Sequence, residues 1–204
     1  MTLTVKHLHY MKQERLLLNN IHFDSNCGEV VLIEGPNGSG KSSLLKLLTG
    51  LVTPYAGDVE WQGESIYSNP FHYSGQFHYI GHTNGLKLGL TVMENLHLAC
   101  RLTLTGNVSL DNVLALLKLE TVKTTLAAQL SAGQKRRVAL AKLFLVPKPL
   151  WILDEPLTAL DTDMQQLFLK QLSEHLQQNG IAIMSTHHAL SFAHSVKTIR
   201  LEQC

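Results

Sequence analysis

An α/β fold, with a mostly parallel sheet flanked by helices, is predicted by three observations. Four apolar residues occur in a row at Val30-Val31-Leu32-Ile33, again at Leu150-Trp151-Ile152-Leu153, and again at Ile181-Ala182-Ile183-Met184. Unbroken apolar character over a strand's length fits a parallel strand covered on both faces. Helical spacing follows two of these runs, at Leu44-Leu45-Lys46-Leu47-Leu48 and at Met164, Leu167, Phe168, Leu172 and Leu176. All three runs also end in chemistry-bearing residues, which is where open α/β sheets bind ligands.

Taken in order, residues 2–5 (Thr-Leu-Thr-Val) read as a strand and residues 21–23 as part of another, giving an N-terminal antiparallel β portion. Tyr10 falls between them, in a polar looped segment that continues from Met11 to Arg15, where an aromatic can stack on a base. Cys27-Gly28 turns into the strand at 30–33. The next helix stops at Thr49-Gly50, with Gly suited to a left-handed cap. Tyr55-Ala56-Gly57-Asp58 reads as a turn, residues 59–61 as a short strand ended by Gln62-Gly63, and residues 67–75 as loop. Residues 77–80 form a strand that ends at Gly81-His82. The pattern then changes. Thr91-Val92-Met93-Glu94 is a capping box, which starts a helix reaching about Leu102. Leu110, Val113, Leu114 and Leu117 place another helix over roughly 109–119. Residues 85–147 are therefore expected to be a helical subdomain, inserted into a nucleotide-binding core made of 1–84 and 148–204. After residue 180 a strand at 181–184 and a last one near 197–201 complete the single domain.

The 204 residues suffice for one domain with a sizeable core. A net charge of +1 gives no electrostatic case for nucleic acid or an anionic membrane as main partner. The three cysteines (Cys27, Cys100, Cys204) are odd in number and widely spaced, as expected of a reduced, cytosolic compartment. No basic-then-apolar leader opens the chain, and no run approaches the ~18 apolar residues a spanning helix needs. Any membrane role is expected to run through a separate spanning partner. The eleven histidines lack metal-ligand spacing and are expected on the surface or in packing.

The most informative stretch is Gly35-Pro36-Asn37-Gly38-Ser39-Gly40-Lys41-Ser42, followed by Ser43, between the first apolar run and its helix. Glycines let the backbone turn several N–H groups toward one anion, and the helix adds its orphan N–H groups and positive dipole end. Lys41 supplies a cation for the outer phosphates, and Ser42 an oxygen for Mg²⁺. The chain is thus expected to bind a nucleoside triphosphate, as a P-loop NTPase core does. Asp154 and Glu155 follow the second apolar run, where Asp154 can hold Mg²⁺ directly or through water. Glu155, turned elsewhere by the strand's alternation, can polarise an attacking water. His187, after the third run, can bond the γ-phosphate or keep that water in line. Leu130-Ser131-Ala132-Gly133-Gln134 is a second small-residue turn opening a helix, and Lys135, Arg136 and Arg137 after it face an anion, an acidic partner or open water. One nucleotide does not need two such helix ends, but two chains sharing their nucleotides would. A small-molecule kinase has a phosphate loop but no use for residues 130–134.

These segments, with Ala159-Leu160-Asp161 and Ser185-Thr186-His187, occur in the order of an ABC-transporter ATPase subunit, which the chain resembles over essentially its whole length. The resemblance implies ATP hydrolysis and a head-to-tail homodimer holding two ATP molecules. Ser131, Gly133 and Gln134 would reach the other subunit's γ-phosphate, with Asp161 at the seam. It also implies Glu155 as general base, His187 as switch histidine, and Lys41 among the catalytic groups. An integral-membrane transporter subunit would dock on the helical subdomain, at the cytoplasmic face of the bacterial inner membrane. Within the family the chain is most similar to ATP-binding subunits of the haem exporter of cytochrome c biogenesis. The matching residues are Trp61-Gln62-Gly63, Tyr79-Ile80-Gly81-His82 with Gly85-Leu86-Lys87, Ala132 in its turn, and Leu150-Trp151-Ile152-Leu153-Asp154-Glu155-Pro156. Other lipid or peptide exporters of the family share the catalytic residues, as would a nucleotide-gated assembly module. By the same resemblance His82 replaces the usual glutamine near the metal, and a protonated histidine is a poor Mg²⁺ ligand. Ala132 replaces a glycine, which is costly if the position takes a positive φ.

Overall fold

The structure, a computed structural model, describes residues 1–101, 109–186 and 195–202. In chain order its strands are β1 (Thr2–Lys12), β2 (Arg15–Asn26), β3 (Val30–Glu34), β4 (Ala56–Trp61), β5 (Glu64–Ser65), β6 (Phe77–Ile80), β7 (Leu150–Asp154), β8 (Ile181–Ser185) and β9 (Val196–Arg200). Its α-helices are α1 (Lys41–Leu48), α2 (Pro70–Ser74), α3 (Val92–Arg101), α4 (Leu110–Leu116), α5 (Ala132–Leu145) and α6 (Thr162–Gln177). One sheet is antiparallel, in the order β2-β1-β4-β5, and the other is parallel throughout, in the order β6-β7-β8-β3-β9.

Strand alternation divides the core in two. Val31, Ile33, Leu150, Ile152, Ile181 and Ile183 face one side of the parallel sheet, in one cluster with Leu3, Val5, Leu8 and Val59 of the antiparallel sheet. Leu44, Leu45, Leu47 and Leu48 of α1 belong to that cluster and are fully buried. At roughly 1.5–3 kcal/mol for each buried leucine, this packing pins α1, and with it the loop before it, against both sheets. Val30, Leu32, Trp151, Leu153, Ala182 and Met184 face the other side, against Leu96 of α3, Val138 and Ala139 of α5, and Phe168 and Leu172 of α6. Between β6 and β7 the described residues hold α3, α4 and α5 but no strand; an isolated bridge joins Thr91 to Leu126. The box opening α3 forms, with Thr91 N–H donating to Glu94 Oε2 at 2.8 Å and Glu94 N–H to Thr91 Oγ1 at 3.2 Å.

Three local expectations are corrected. Met11 to Arg15 is not a loop, because β1 continues through Tyr10 to Lys12 and only Gln13 and Glu14 turn. Both have positive φ (49° and 63°), the two-residue hairpin turn that usually advertises itself through Asn or Gly. Ala56, Gly57 and Asp58 open β4 instead of forming a turn, pairing across an irregular stretch of β1. Within residues 67–75 lies α2, whose Asn69 Oδ1 accepts from His72 N–H at 3.1 Å and whose Pro70 begins the helix.

Candidate functional site

The loop after β3 is held from both sides. Gly35 (φ 149°) leaves no room for a side chain, since a Cβ would stand 2.5 Å from the Leu201 carbonyl oxygen. Gly40 (φ 100°) passes so close to β2 that a Cβ would lie 2.8 Å from Leu18 Cδ2. Lys41 is buried, and its Nζ donates to Gly35 O at 2.7 Å and Pro36 O at 3.1 Å. Those carbonyls hold the ammonium in place without neutralising it. Ser39 Oγ is buried with no hydrogen-bond partner, and no side chain caps α1. An unpaired hydroxyl, an unneutralised cation and an open helix N-terminus together fit a polyanion.

Asp154 is the last residue of β7 and is buried; its Oδ1 accepts from Ser185 Oγ, at the end of β8, at 2.7 Å. Glu155 lies one residue beyond the strand with φ 49°, so the chain's departure into a left-handed turn aims its side chain, rather than strand alternation. Such a conformation costs a residue with a Cβ about 1–3 kcal/mol and persists where surrounding bonds enforce it. Here Glu155 N–H donates to Ser185 O and Ser185 Oγ, both at 3.1 Å, and Glu155 Oε2 accepts from Thr158 Oγ1 at 3.2 Å.

A cavity of about 410 Å³ opens over the loop. Asn37, Gly38, Gly40, Lys41, Ser42, Ser43 and Glu155 line it, so the phosphate loop and Glu155 share one space. The hairpin tip closes another wall through Lys12, Gln13, Arg15 and Leu17, which sequence reasoning missed. Their signal was the basic pair Lys12 and Arg15, hidden because the segment read as loop. Three cations against one carboxylate favour an anionic occupant. Tyr10, half-buried and paired with Leu18, packs against the core and is absent from this lining. His82 is exposed beyond β6 and also outside the lining. His187 lies outside the described residues.

The second small-residue turn stands at the start of α5. Ser131 Oγ accepts from Gln134 N–H at 3.2 Å, and Gln134 Oε1 accepts from Ser131 N–H at 2.9 Å. Gly133 lies against the Ala159 carbonyl, 2.9 Å from where a Cβ would be. Ala132 takes no positive φ, so the alanine carries none of the strain expected of it. Asp161 caps α6, accepting from Met164 N–H at 2.9 Å. Of the three basic residues expected to face an anion, an acidic partner or open water, only Arg136 is buried away from solvent; Lys135 and Arg137 are half-buried. Lys135 Nζ donates to Ala128 O, and Arg137 donates to Leu117 O and Lys118 O. Arg136 is buried, with its guanidinium donating to carbonyls at Asp154, Glu155, Pro156 and Gly81 and to Asn84 Oδ1.

A family profile described as ABC transporter matches residues 18–158, well over half the chain. The chain belongs to the ABC transporter family. Among its curated ABC relatives are the Cytochrome c biogenesis ATP-binding export protein CcmA of Escherichia coli K12, 42% identical over 94% of this chain and 92% of that one. The protein of the same name from Escherichia coli O157:H7 is 42% identical over 98% of this chain and 97% of its own. A solved structure of an ATP binding subunit of an ABC transporter superposes with a TM-score of 0.82 at 30% identity, over 92% of this chain and 80% of that one. The ATP-binding cassette MJ0796, solved as a dimer with ADP and Pi, shares the fold with a TM-score of 0.80 at 24% identity, over 91% of this chain and 88% of its own. No described helix is long and apolar enough to cross a membrane.

Proposed function

We propose that this chain is the ATP-binding and ATP-hydrolysing subunit of the ABC exporter serving cytochrome c biogenesis, which the sequence resemblance reads as the haem exporter. The carrying observation is the single cavity in which Lys41, Ser42 and Glu155 meet, in a chain 42% identical to CcmA almost end to end. In this reading Lys41 exchanges the carbonyls of Gly35 and Pro36 for phosphate oxygens, and the loop and α1 N–H groups bind the rest of the triphosphate. Glu155 orients a water and accepts its proton as the water oxygen bonds the γ-phosphorus and the bond from that phosphorus to the bridging oxygen breaks, with ADP as leaving group and phosphate as product. Ser42 and Asp154 are the residues that would hold magnesium, which would neutralise charge on the phosphate oxygens. His187 would serve the γ-phosphate and His82 the metal side, and Tyr10 would stack on the adenine although neither Tyr10 nor His82 lines the cavity.

Two copies would close head to tail, with Ser131, Gly133 and Gln134 of each completing the other's site. A membrane-spanning subunit would dock on the helical stretch between β6 and β7, which puts the chain at the cytoplasmic face of the bacterial inner membrane. The test is Glu155→Gln: ATP binding persists, turnover stops and the dimer becomes stable. Wild-type turnover in that variant rejects Glu155 as the base. Co-purification from membranes identifies the spanning subunit, and a partner from an unrelated exporter rejects the cytochrome c assignment.

A further inference from the structure

Arg136 stands one turn into α5 from Ser131, and all five N–H groups of its guanidinium are used. Nη2 donates to Asp154 O at 2.7 Å and Glu155 O at 2.6 Å, and Nε to Pro156 O at 3.2 Å. Nη1 donates to Gly81 O at 3.0 Å and Asn84 Oδ1 at 2.8 Å. None of the five acceptors is a carboxylate, although the side chain is 4% exposed. The carboxylates of Asp154 and Glu155 attract the cation without bonding to it, and burying a charge is still a poor way to gain stability, since a well-packed apolar side chain does as well or better. A rigid planar fork instead fixes the directions of several carbonyls at once, which an ammonium cannot do. The carbonyls it fixes flank the one left-handed peptide that aims Glu155.

We propose that Arg136 is a positioning residue for hydrolysis. It clamps the turn at residues 154–156 so that Glu155 keeps its left-handed backbone, and it ties the segment after β6, at Gly81 and Asn84, to the same body. The first turn of α5, Glu155 and the segment after β6 are then held as one unit. This rests on the reading of Glu155 as the base. In the shared-site dimer Ser131 serves one nucleotide and Glu155 of the same copy serves the other, so the fork joins the two sites.

The test uses the assembly purified through a tag on this chain, carrying Arg136→Gln or Arg136→Lys. Steady-state hydrolysis, equilibrium binding of a fluorescent ATP analogue and hydrogen exchange are measured. Arg136→Gln is expected to lower kcat by about 30-fold or more, within the range that misplacing a general base produces, with KM and analogue affinity within about twofold. Arg136→Lys, which keeps the charge without the fork, falls between. Exchange quickens at residues 81–84 and 154–158 but not in the β1–β2 hairpin. Added to Glu155→Gln, Arg136→Gln causes no further fall. A folded Arg136→Gln protein with wild-type kcat overturns the proposal, as does a kcat loss matched by equal loss of analogue affinity, or a further fall beyond Glu155→Gln. If Arg136→Gln does not fold, Arg136→Lys decides, and unchanged kcat and exchange there overturn it. Wild-type turnover by Glu155→Gln alone rejects the base, a result distinct from either outcome at Arg136.

Discussion

Two helices of this chain open from turns of small residues, and they open differently. α1 follows Gly40 in a left-handed conformation with no side chain capping it. α5 follows Ser131 with a complete capping box, in which the N–H groups of Ser131 and Gln134 are bonded within the turn. At their far ends the contrast continues: Tyr73 Oη donates to Leu48 O at the end of α1 (2.6 Å), and His78 Nε2 donates to Val146 O at the end of α5 (2.7 Å). An open N-terminus presents its donors permanently, whereas a capped one is content alone and adds an anion only when something brings it there. On the proposed reading, α1 would hold a phosphate and α5 would be recruited to one.

The largest effect expected is that of Glu155→Gln, a fall in kcat of about 10²–10⁴-fold with ATP affinity kept. Because binding survives, a persistent dimer in that variant would isolate the recruitment of α5 from hydrolysis; gel filtration with ATP checks it. Acid should come next, and it should act at the end of α5 through His78 and on α6 through His175. Burial pushes His78 down to about 3 and His175 down to about 4. Below the ordinary histidine value of about 6.5 the unfolded chain takes up protons that the fold refuses, so stability present at neutral pH is lost as pH falls towards those values. For His78 the loss by pH 4 is on the order of 3 kcal/mol, from the ~1.4 kcal/mol carried by each pH unit. Urea unfolding between pH 7 and 4 measures it, and His78→Gln should flatten the slope. Tyr73, neutral over this whole range, gives α1 no matching sensitivity.

Lys41→Ala should then weaken ATP binding by about 10–100-fold, the worth of a charge-assisted bond, as read by titration calorimetry; an unchanged affinity would break the α1 half of the contrast. Ser131→Ala is the smallest in energy and the sharpest in meaning. It should cost about 1 kcal/mol of stability without nucleotide, through the lost cap, and leave ATP affinity of the single chain unchanged. Loss of affinity at a concentration where gel filtration finds only single chains would place Ser131 at its own copy's nucleotide instead.

The parts legible in the sequence are those whose residue types are required locally. A phosphate loop needs its glycines where the backbone crowds Leu18 and Leu201, and three buried parallel strands need unbroken apolar runs. The hairpin tip was illegible because Gln13-Glu14 makes a turn normally written with Asn or Gly, so Lys12 and Arg15 lost their place beside the cavity. The short α2 was concealed by its polar composition, although Asn69-Pro70 is a start signal. Arg136 was illegible for a different reason. Beside Lys135 and Arg137 it reads as one more surface charge, and only folding brings it to carbonyls 18 to 55 residues away in sequence.

β3, which carries the nucleotide loop, is flanked in its sheet by β8 and β9, and Leu201 N–H bonds Glu34 O at 2.8 Å above Gly35. A strand complete within the first 34 residues therefore waits for partners made some 150 residues later. Such distant pairing slows folding and leaves an apolar edge bare during synthesis. On the ribosome the loop therefore lacks its flanking strands until β8 and β9 have emerged.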